Sequence, residues 1–360
     1  MMTTNCTQTY LGTHNPKRDA AILLMIDMSF PQYIVVILVL IVSLRTILFS
    51  ATYIKAIQDA EHDMIYAQAF PIPSESQGGA AICAIQKGAV RYLDEWTDYN
   101  LALGFESIYI YDNSDDFELK EWALNKDKIH VKHYPGEKKQ LEVYTECGNW
   151  MRYHQLHSWV AFVDTDEFLV IRDTNQFPYL MDFLNTIPTV RKFPYIWPSD
   201  AGGLAVNWQV FGFNNHTKYE PKPSLLRFQG HKPEINKHIK TIARVRDFKS
   251  MGDTPHDIRT RDGNKIIDTS GNVVRGPFNP IKTNDKIVIF HLHTKSVEEY
   301  RERCKRGRAD VNKTFAANEL ACKPYSDEEF MSHFEPDIII DESAWKLLKE
   351  RVPKYAKFED

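Results

Sequence analysis

Short apolar runs alternate with stretches of helical periodicity through the first half of the chain. Runs rich in β-branched and aromatic residues predict strands at residues 80–85, 107–111, 129–133 and from 159 onward. Between them, helical spacing of apolar residues predicts helices at residues 90–103, 117–125 and 138–155. This strand–helix–strand order predicts an α/β fold with a mostly parallel central sheet and right-handed crossovers.

Two of the predicted strands end in acidic residues. Asp112 closes the second strand, and Asp164, Asp166 and Glu167 follow the apolar residues 159–163. The carboxyl ends of parallel strands meet at one edge of a sheet, where open α/β folds bind their ligands. An Asp-x-Asp pair there could hold a hard cation, although such a pair alone is more often an acidic turn. Acids this close together also require a positive group nearby.

The second half of the chain supplies histidine and basic side chains. Alternating strands are predicted at residues 204–212, 238–245 and 286–293. The last of them ends in His291 and His293, and either histidine could complete an Asp-Asp-His site of the kind that suits Mn²⁺. A basic helix is predicted at residues 297–308. It is either a solvated charged surface or a partner for a diphosphate, whose departure a metal ion and nearby cations would stabilise.

An apolar stretch at residues 33–54 is long enough to cross a bilayer, provided that Arg45 lies near a helix end. A membrane anchor is favoured over a cleaved signal peptide or a buried helix, which share this composition. The mass on the C-terminal side predicts a single-pass type II protein with a lumenal body. The predicted divisions are a cytosolic tail at residues 1–20, the anchor at 33–54, a stem at 55–79, a main domain at 80–320 and a C-terminal helical extension at 321–360.

Composition and spacing exclude several classes of protein. A formal charge of -4 over 360 residues gives no basic field for nucleic acid. The five cysteines show no CxxC spacing, which argues against a zinc cluster, and Cys304 and Cys322 are close enough to pair in an oxidising lumen. Residues 86–89 after the first strand lack the GxGxxG pattern, which disfavours a dinucleotide-binding fold. Sequons at Asn5, Asn215 and Asn312 permit a lumenal location.

An ordered series of motifs resembles glycosyltransferase family 92 and related family-2-like domains. The motifs are residues 81–87, 92–96, 108–116, 159–170, 208–212 with His216, His291 with residues 294–296, and residues 306–310. Each is weak alone, but their order is specific and covers residues 80–310. The resemblance implies a GT-A-like, Rossmann-type fold, a UDP-sugar donor, a glycan acceptor and a membrane enzyme of the Golgi or endoplasmic reticulum.

The resemblance also implies roles for residues on the donor side. Asp112 would contact uracil or ribose. Asp164 and Asp166 would bridge Mn²⁺ (or Mg²⁺) to the diphosphate, with His291 as the third ligand. The candidate phosphate contacts are Lys295, Arg306 and Arg308.

On the acceptor side, the resemblance implies an inverting transfer of a hexose such as galactose. Trp208 and Phe211 would shape this side, and ordinary core aromatics are an equally good interpretation. An inverting reaction needs a base for the acceptor hydroxyl. The candidates for this base are Glu167, Asp200 and His256.

The chain departs from the family pattern at two places. Family members carry Lys-Asn-Glu after the first strand, where this chain has Lys87, Gly88 and Ala89, which removes one carboxylate. Phe290 and Leu292 replace polar or aromatic neighbours of His291, so His293 could share the metal role. These departures leave a second hypothesis open, a catalytically degenerate, membrane-anchored carbohydrate-binding or scaffold protein. A metal-dependent phosphohydrolase is disfavoured because no second metal cluster is apparent.

Overall fold

The structure, a computed structural model, describes residues 30–65, 69–72, 78–187, 201–306, 325–333 and 339–358. The chain divides into two compact units, Met1–His62 and Asp63–Asp360. Four predicted features lie outside the described residues, namely the tail at residues 1–20, Asp200, Arg308 and Cys322.

Helix α1, Phe30–Ile65, contains the predicted anchor. Its apolar part, Ile34–Ile54, has none of its residues buried. The 21 residues of this part rise by about 31 Å, which matches the hydrocarbon core of a bilayer. Length and composition therefore suit a membrane span, and a signal sequence near the N-terminus shares both features.

The second unit is built on a mixed sheet, which has ten strands among the described residues. Its strands are β1 Ala80–Gln86, β2 Phe105–Asp112, β3 Ile129–His133, β4 Trp159–Phe162, β5 Glu167–Ile171, β6 Ala201–Val210, β8 Asn236–Arg244, β11 Lys265–Ile267, β12 Val273–Val274 and β13 Ile287–His291. Two small two-stranded pairs are formed by β7 Gly230–His231 with β14 Ile339–Ile340 and by β9 Phe248–Met251 with β10 Ile258–Thr260.

The strands predicted in the first half of the chain form the parallel part of the sheet, in the order β4-β1-β2-β3. Strand β8 pairs antiparallel with β4 and β6, and β13 pairs parallel with β6 and antiparallel with β5. Of the nine strand pairs described in this sheet, five are parallel. The predicted α/β class with a mostly parallel sheet is therefore confirmed.

The helices of the second unit cover both faces of this sheet. They are α2 Leu93–Leu103, α3 Gln140–Tyr153, α4 Leu180–Leu184, α5 Ser224–Arg227, α6 Val297–Arg306, α7 Asp327–His333 and α8 Ser343–Arg351. Side chains alternate between the two faces along a strand. On β1, Ile82 packs in the core beneath Trp96 of α2, whereas Cys83 packs with Trp150 of α3. All seven residues of β1 are buried, as expected for a strand covered on both sides.

The prediction of a helix at residues 117–125 is wrong, because this segment is a series of turns. Phe117 and Asn125 have φ of 52° and 62°, in the left-handed region that an α-helix excludes. The Asp112 carboxylate accepts the backbone N–H groups of Ser114 at 2.9 Å and Leu119 at 2.8 Å. Local hydrogen bonds of this kind compete with helix formation and stabilise the turns instead.

A disulfide joins Cys83 on β1 to Cys147 on α3, across a sequence separation of 64 residues. The sequence spacing did not predict this pair. Cys304 is also disulfide-bonded, and its predicted partner Cys322 lies outside the described residues.

Candidate active site

The acidic turn between β4 and β5 lies at the carboxyl edge of the parallel strands. The Glu167 carboxylate accepts the Asp164 backbone N–H at 2.8 Å, and the Asp164 carbonyl accepts the Glu167 N–H at 3.0 Å. The Thr165 hydroxyl donates to the Gln86 side chain at the end of β1. These bonds fix the turn against the neighbouring strand, so its three carboxyl groups point in defined and different directions.

Asp164 is held by side chains of the protein itself, although about a third (34%) of its side chain is exposed. Its carboxylate accepts hydrogen bonds from Gln140 Nε2 at 2.7 Å, Tyr144 Oη at 2.9 Å and Lys240 Nζ at 2.9 Å. Burial opposes ionisation of Asp164, but the Lys240 cation outweighs it and lowers the pKa of this carboxyl. Both carboxylate oxygens are thereby occupied within the protein.

Lys240 is the positive group that the cluster of acids required, and the sequence analysis did not identify it. Its side chain is 1% exposed, and its Nζ also lies 3.5 Å from Glu167. Burial raises the pKa of Glu167 well above its usual range in spite of this cation. Burial thus favours the protonated form of Glu167, while Lys240 balances the charge of Asp164. The available signal was a lysine placed between Ile239 and Ile242 in β8, a strand that carries several basic residues.

Asp166 points into a cavity of about 340 Å³. His291 Nε2 lies 3.7 Å from its carboxylate, because β13 pairs with β5 and places His291 opposite Glu167. Burial lowers the pKa of His291 to about 4, so the imidazole is neutral at physiological pH. For Asp166, burial is outweighed by His291, Lys295 and Arg303, and the pKa of the carboxyl is lowered.

Charged side chains line the same cavity. In its described lining, four are the cations Arg91, Lys295, Arg303 and Arg306, and three are the acids Asp166, Glu299 and Glu302. The Arg303 guanidinium donates to the His293 carbonyl at 2.7 Å. Arg306 passes close to Gly88, where an added Cβ would lie 3.0 Å from Arg306 Cδ and where φ is +61°. Glycine at position 88 lets the arginine side chain approach the backbone. The departure from the family pattern at Gly88 therefore leaves room for Arg306 beside the cavity.

A buried ion pair fixes α6, the helix that carries Arg303 and Arg306. Arg227 donates to both oxygens of Glu299 at 2.9 Å and 3.0 Å, and the two side chains are 1% and 2% exposed. The Tyr92 hydroxyl donates to Glu299 at 2.5 Å. Burial opposes ionisation, but Arg227 and the other donors lower the pKa of Glu299 to about 2. This network links α6 to Arg227, 72 residues earlier, and to Tyr92, 207 residues earlier, and no local pattern could have revealed these contacts.

Other predicted residues lie away from this cavity. Asp112 is buried, and its oxygens accept the backbone N–H groups described above. His256 Nδ1 faces the Ile239 carbonyl at 3.0 Å, and its ring contacts Trp208 at 5.0 Å between centroids. Burial lowers the pKa of His256 to about 3. Phe211 is fully buried against Phe290, as a core aromatic.

The three predicted metal ligands are not assembled as one cluster. No group of three or more His, Cys, Asp or Glu side chains with suitable geometry occurs among the described residues. Asp164 is occupied by Lys240, whereas Asp166 and His291 face each other, and His291 Nδ1 has no hydrogen-bond partner in the described part of the chain. A carboxylate and a neutral imidazole fit a divalent ion that takes its remaining ligands from substrate phosphates and water.

The fold and the cavity together define an α/β protein with a charged cavity at the carboxyl edge of its sheet. The sequence profile of glycosyltransferase family 92 matches residues 84–311. The chain therefore belongs to glycosyltransferase family 92, which confirms the resemblance seen in its motifs.

Individual relatives match over shorter stretches. A family 92 protein of rice (Oryza sativa subsp. japonica) is 30% identical over 92 residues, which are 24% of this chain and 15% of the relative. One from Ricinus communis is 33% identical over 91 residues, 24% of this chain and 16% of the relative. The crystal structure of residues 1–349 of S. aureus TarS covers 66% of this chain and 68% of its own, at 11% identity and a TM-score of 0.29. That likeness is too low to carry an argument.

Proposed function

We propose that this protein is a metal-assisted glycosyltransferase of GT-A type, which moves a hexose from a UDP-sugar to a glycan hydroxyl with inversion. The observation that carries the proposal is the 340 Å³ cavity, which Asp166 lines together with Lys295, Arg303 and Arg306. His291 Nε2 lies 3.7 Å from the Asp166 carboxylate. In such a transfer the bond between the anomeric carbon and the diphosphate oxygen breaks, and a new bond to the acceptor oxygen forms. UDP leaves with its negative charge, which is the charge these cations would stabilise.

Asp166 and His291 would hold the divalent ion, Mn²⁺ or Mg²⁺, which supplies Lewis-acid stabilisation of the departing diphosphate. Lys295, Arg303 and Arg306 would bind the phosphate oxygens, with Arg308 as a further candidate beyond the described residues. Asp164, held by Lys240, would position the turn that aims Asp166 into the cavity. Asp112 stays a proposed contact to uracil or ribose, through the loop that it organises.

The acceptor proton needs a base. Glu167 is fully buried and its carboxylate accepts the Asp164 backbone N–H at 2.8 Å, so it suits a positioning role within the turn. His256 presents Nδ1 to the Ile239 carbonyl, which leaves the lone pair on Nε2, the tautomer that a base requires. We keep His256 and Asp200 as the proposed bases.

We further propose a type II membrane protein of the Golgi or endoplasmic reticulum with a lumenal catalytic body. The apolar helix Ile34–Ile54 supports the anchor. The Cys83–Cys147 disulfide supports an oxidising compartment, because such bonds are rare in the cytosol.

The test is a panel of nucleotide sugars with Mn²⁺, beginning with UDP-galactose and scored for transfer and for hydrolysis. We expect activity that EDTA removes and Mn²⁺ restores. Asp166→Asn should lower kcat/KM by about 100-fold or more with the melting temperature retained, and the exposed Asp253→Asn is the matched control. Full activity of the Asp166 variant would exclude the proposed metal role. Calorimetry showing no metal-dependent UDP binding would instead favour the degenerate carbohydrate-binding protein.

A further inference from the structure

A second cavity of about 490 Å³ adjoins the first. His293 and Thr294 line both cavities and so form a shared wall between them. The far side of the second cavity is formed by the end of β6, the segment leading into β8, and Lys282. We call it the lysine cavity, after Lys232, Lys237 and Lys282 in its lining.

The lysine cavity carries an excess of positive charge. Its described lining contains these three lysines and one acid, Glu234. None of the three lysines has a carboxylate partner within the part of the chain that the structure describes. Some other surface lysines are paired, as Lys126 is with Asp94 at 2.9 Å and Lys132 is with Glu146 at 2.6 Å. What distinguishes this site is that three lysines line one cavity.

The same cavity offers apolar and aromatic surface for a sugar ring. Val210 and Ile235 contribute to its lining. His238 stacks on Trp208, with 5.0 Å between centroids and an interplanar angle of 17°. Lys237 lies 4.7 Å from the centroid of the Phe278 ring, which itself contacts His238 at 4.8 Å. Aromatic surface beside a few well-placed polar groups is typical of ligand sites.

We propose that the lysine cavity is the acceptor site and that it binds an acidic glycan, one that carries carboxylate or sulfate groups. This inference rests on the proposed function, because the shared wall of His293 and Thr294 places an acceptor next to the sugar of a donor bound at Asp166. Three unpaired lysines favour an anion over a neutral sugar, and the attraction weakens with salt.

The experiment measures acceptor binding by calorimetry on the full-length protein in detergent, without any turnover. The probes are oligosaccharides of equal length, namely neutral galactan, oligogalacturonate and sulfated galactan. We expect the acidic probes to bind about tenfold tighter than the neutral probe at low salt, with the difference shrinking at high salt. The uronate and sulfate arms identify which anion the cavity prefers.

The variants separate charge from folding. Lys232→Gln, Lys237→Gln and Lys282→Gln combined should abolish the preference for acidic probes, and the corresponding triple arginine variant should retain it. Lys128→Gln, on the opposite edge of the sheet, is the matched control. Equal binding of neutral and acidic probes by the wild type, or an unchanged preference in the triple glutamine variant, would overturn the inference. UDP-sugar hydrolysis is measured separately, so its absence would count against the proposed function and not against the anionic site.

Discussion

At the scale of single residues, Lys240 holds the acidic turn together. It is a buried cation whose Nζ lies 2.9 Å from Asp164 and 3.5 Å from Glu167. Buried ion pairs are costly to make, but removing one partner leaves the other as an unpaired buried charge. The pair therefore matters more for the conformation of the turn than for net stability.

Replacing Lys240 by methionine should destabilise the protein by about 3–5 kcal/mol, because Asp164 then loses its cation. Urea unfolding followed by circular dichroism measures this change. Lys237→Met, on the same strand but exposed, is the control and should change stability by less than about 0.5 kcal/mol. An equally small effect at Lys240 would show that Asp164 is stabilised by Gln140 and Tyr144 alone.

His157 should make stability depend on pH. Its ring is buried between Tyr109 Oη at 3.1 Å and the Glu106 carboxylate at 3.2 Å. Burial lowers the pKa of His157 from 6.5 to about 4. Between these two values the unfolded chain takes up a proton that the folded chain does not, so stability falls as the pH falls.

We expect this histidine to contribute a loss of about 1–3 kcal/mol between pH 6.5 and pH 4. His157→Asn should flatten that part of the stability profile, and asparagine tolerates the φ of 56° found there. Unfolding midpoints at half-unit pH steps are the measurement. Parallel profiles for wild type and variant would assign the pH dependence to other groups.

At the scale of secondary structure, much of the parallel sheet could be predicted because its signals are local. The apolar runs gave β1 to β4, and Gly104, with φ of 110°, ends α2 where predicted. The contact of Lys240 was not predicted, because β8 returns to the sheet from a distant part of the chain. His291, also on a returning strand, was predicted near the acids from its place in the motif series, and it lies 3.7 Å from Asp166. Lys240 on β8 contacts Asp164, whereas His291 on β13 faces Asp166, so the two aspartates have different partners. Their spacing in the sequence could not distinguish them, and both were predicted as metal ligands.

The contact between α3 and β9 depends on a glycine inside the helix. A Cβ at Gly148 would lie 2.4 Å from Phe248 Cε1. Alanine normally favours a helix over glycine by about 1 kcal/mol. Here the close approach of the Phe248 ring should reverse the sign of that effect.

We expect Gly148→Ala to destabilise the protein by about 1–3 kcal/mol, the cost of overpacking a core. Gly78→Ala is the control, since no atom lies within 4 Å of its added Cβ. Combining Gly148→Ala with Phe248→Leu should recover part of the loss. A stabilised Gly148→Ala variant would mean that the ring moves aside at little cost. Thermal unfolding of the four proteins decides between these results.

At the scale of the whole molecule, a formal charge of only -4 conceals a strong local separation of charge. Cations collect around the 340 Å³ cavity at Asp166 and around the lysine cavity, and the two cavities share one wall. Two adjoining positive cavities suit a reaction in which a negative diphosphate and an acidic acceptor are both bound. Because the total charge is near neutral, the composition argued against a nucleic-acid partner. For the same reason it gave no sign of these two cavities.

The helix Ile34–Ile54 and the body from Asp63 onward should behave independently in solution. None of the apolar residues of this helix is buried, so they leave a surface that water solvates poorly and a bilayer solvates well. We expect the full chain to remain with membranes after carbonate washing. A chain starting at Asp63 should be soluble without detergent and melt within about 2 °C of the full chain. If the full chain is instead released by carbonate and its mature N-terminus lies beyond residue 54, the helix is a cleaved signal sequence, because a retained anchor cannot lose those residues.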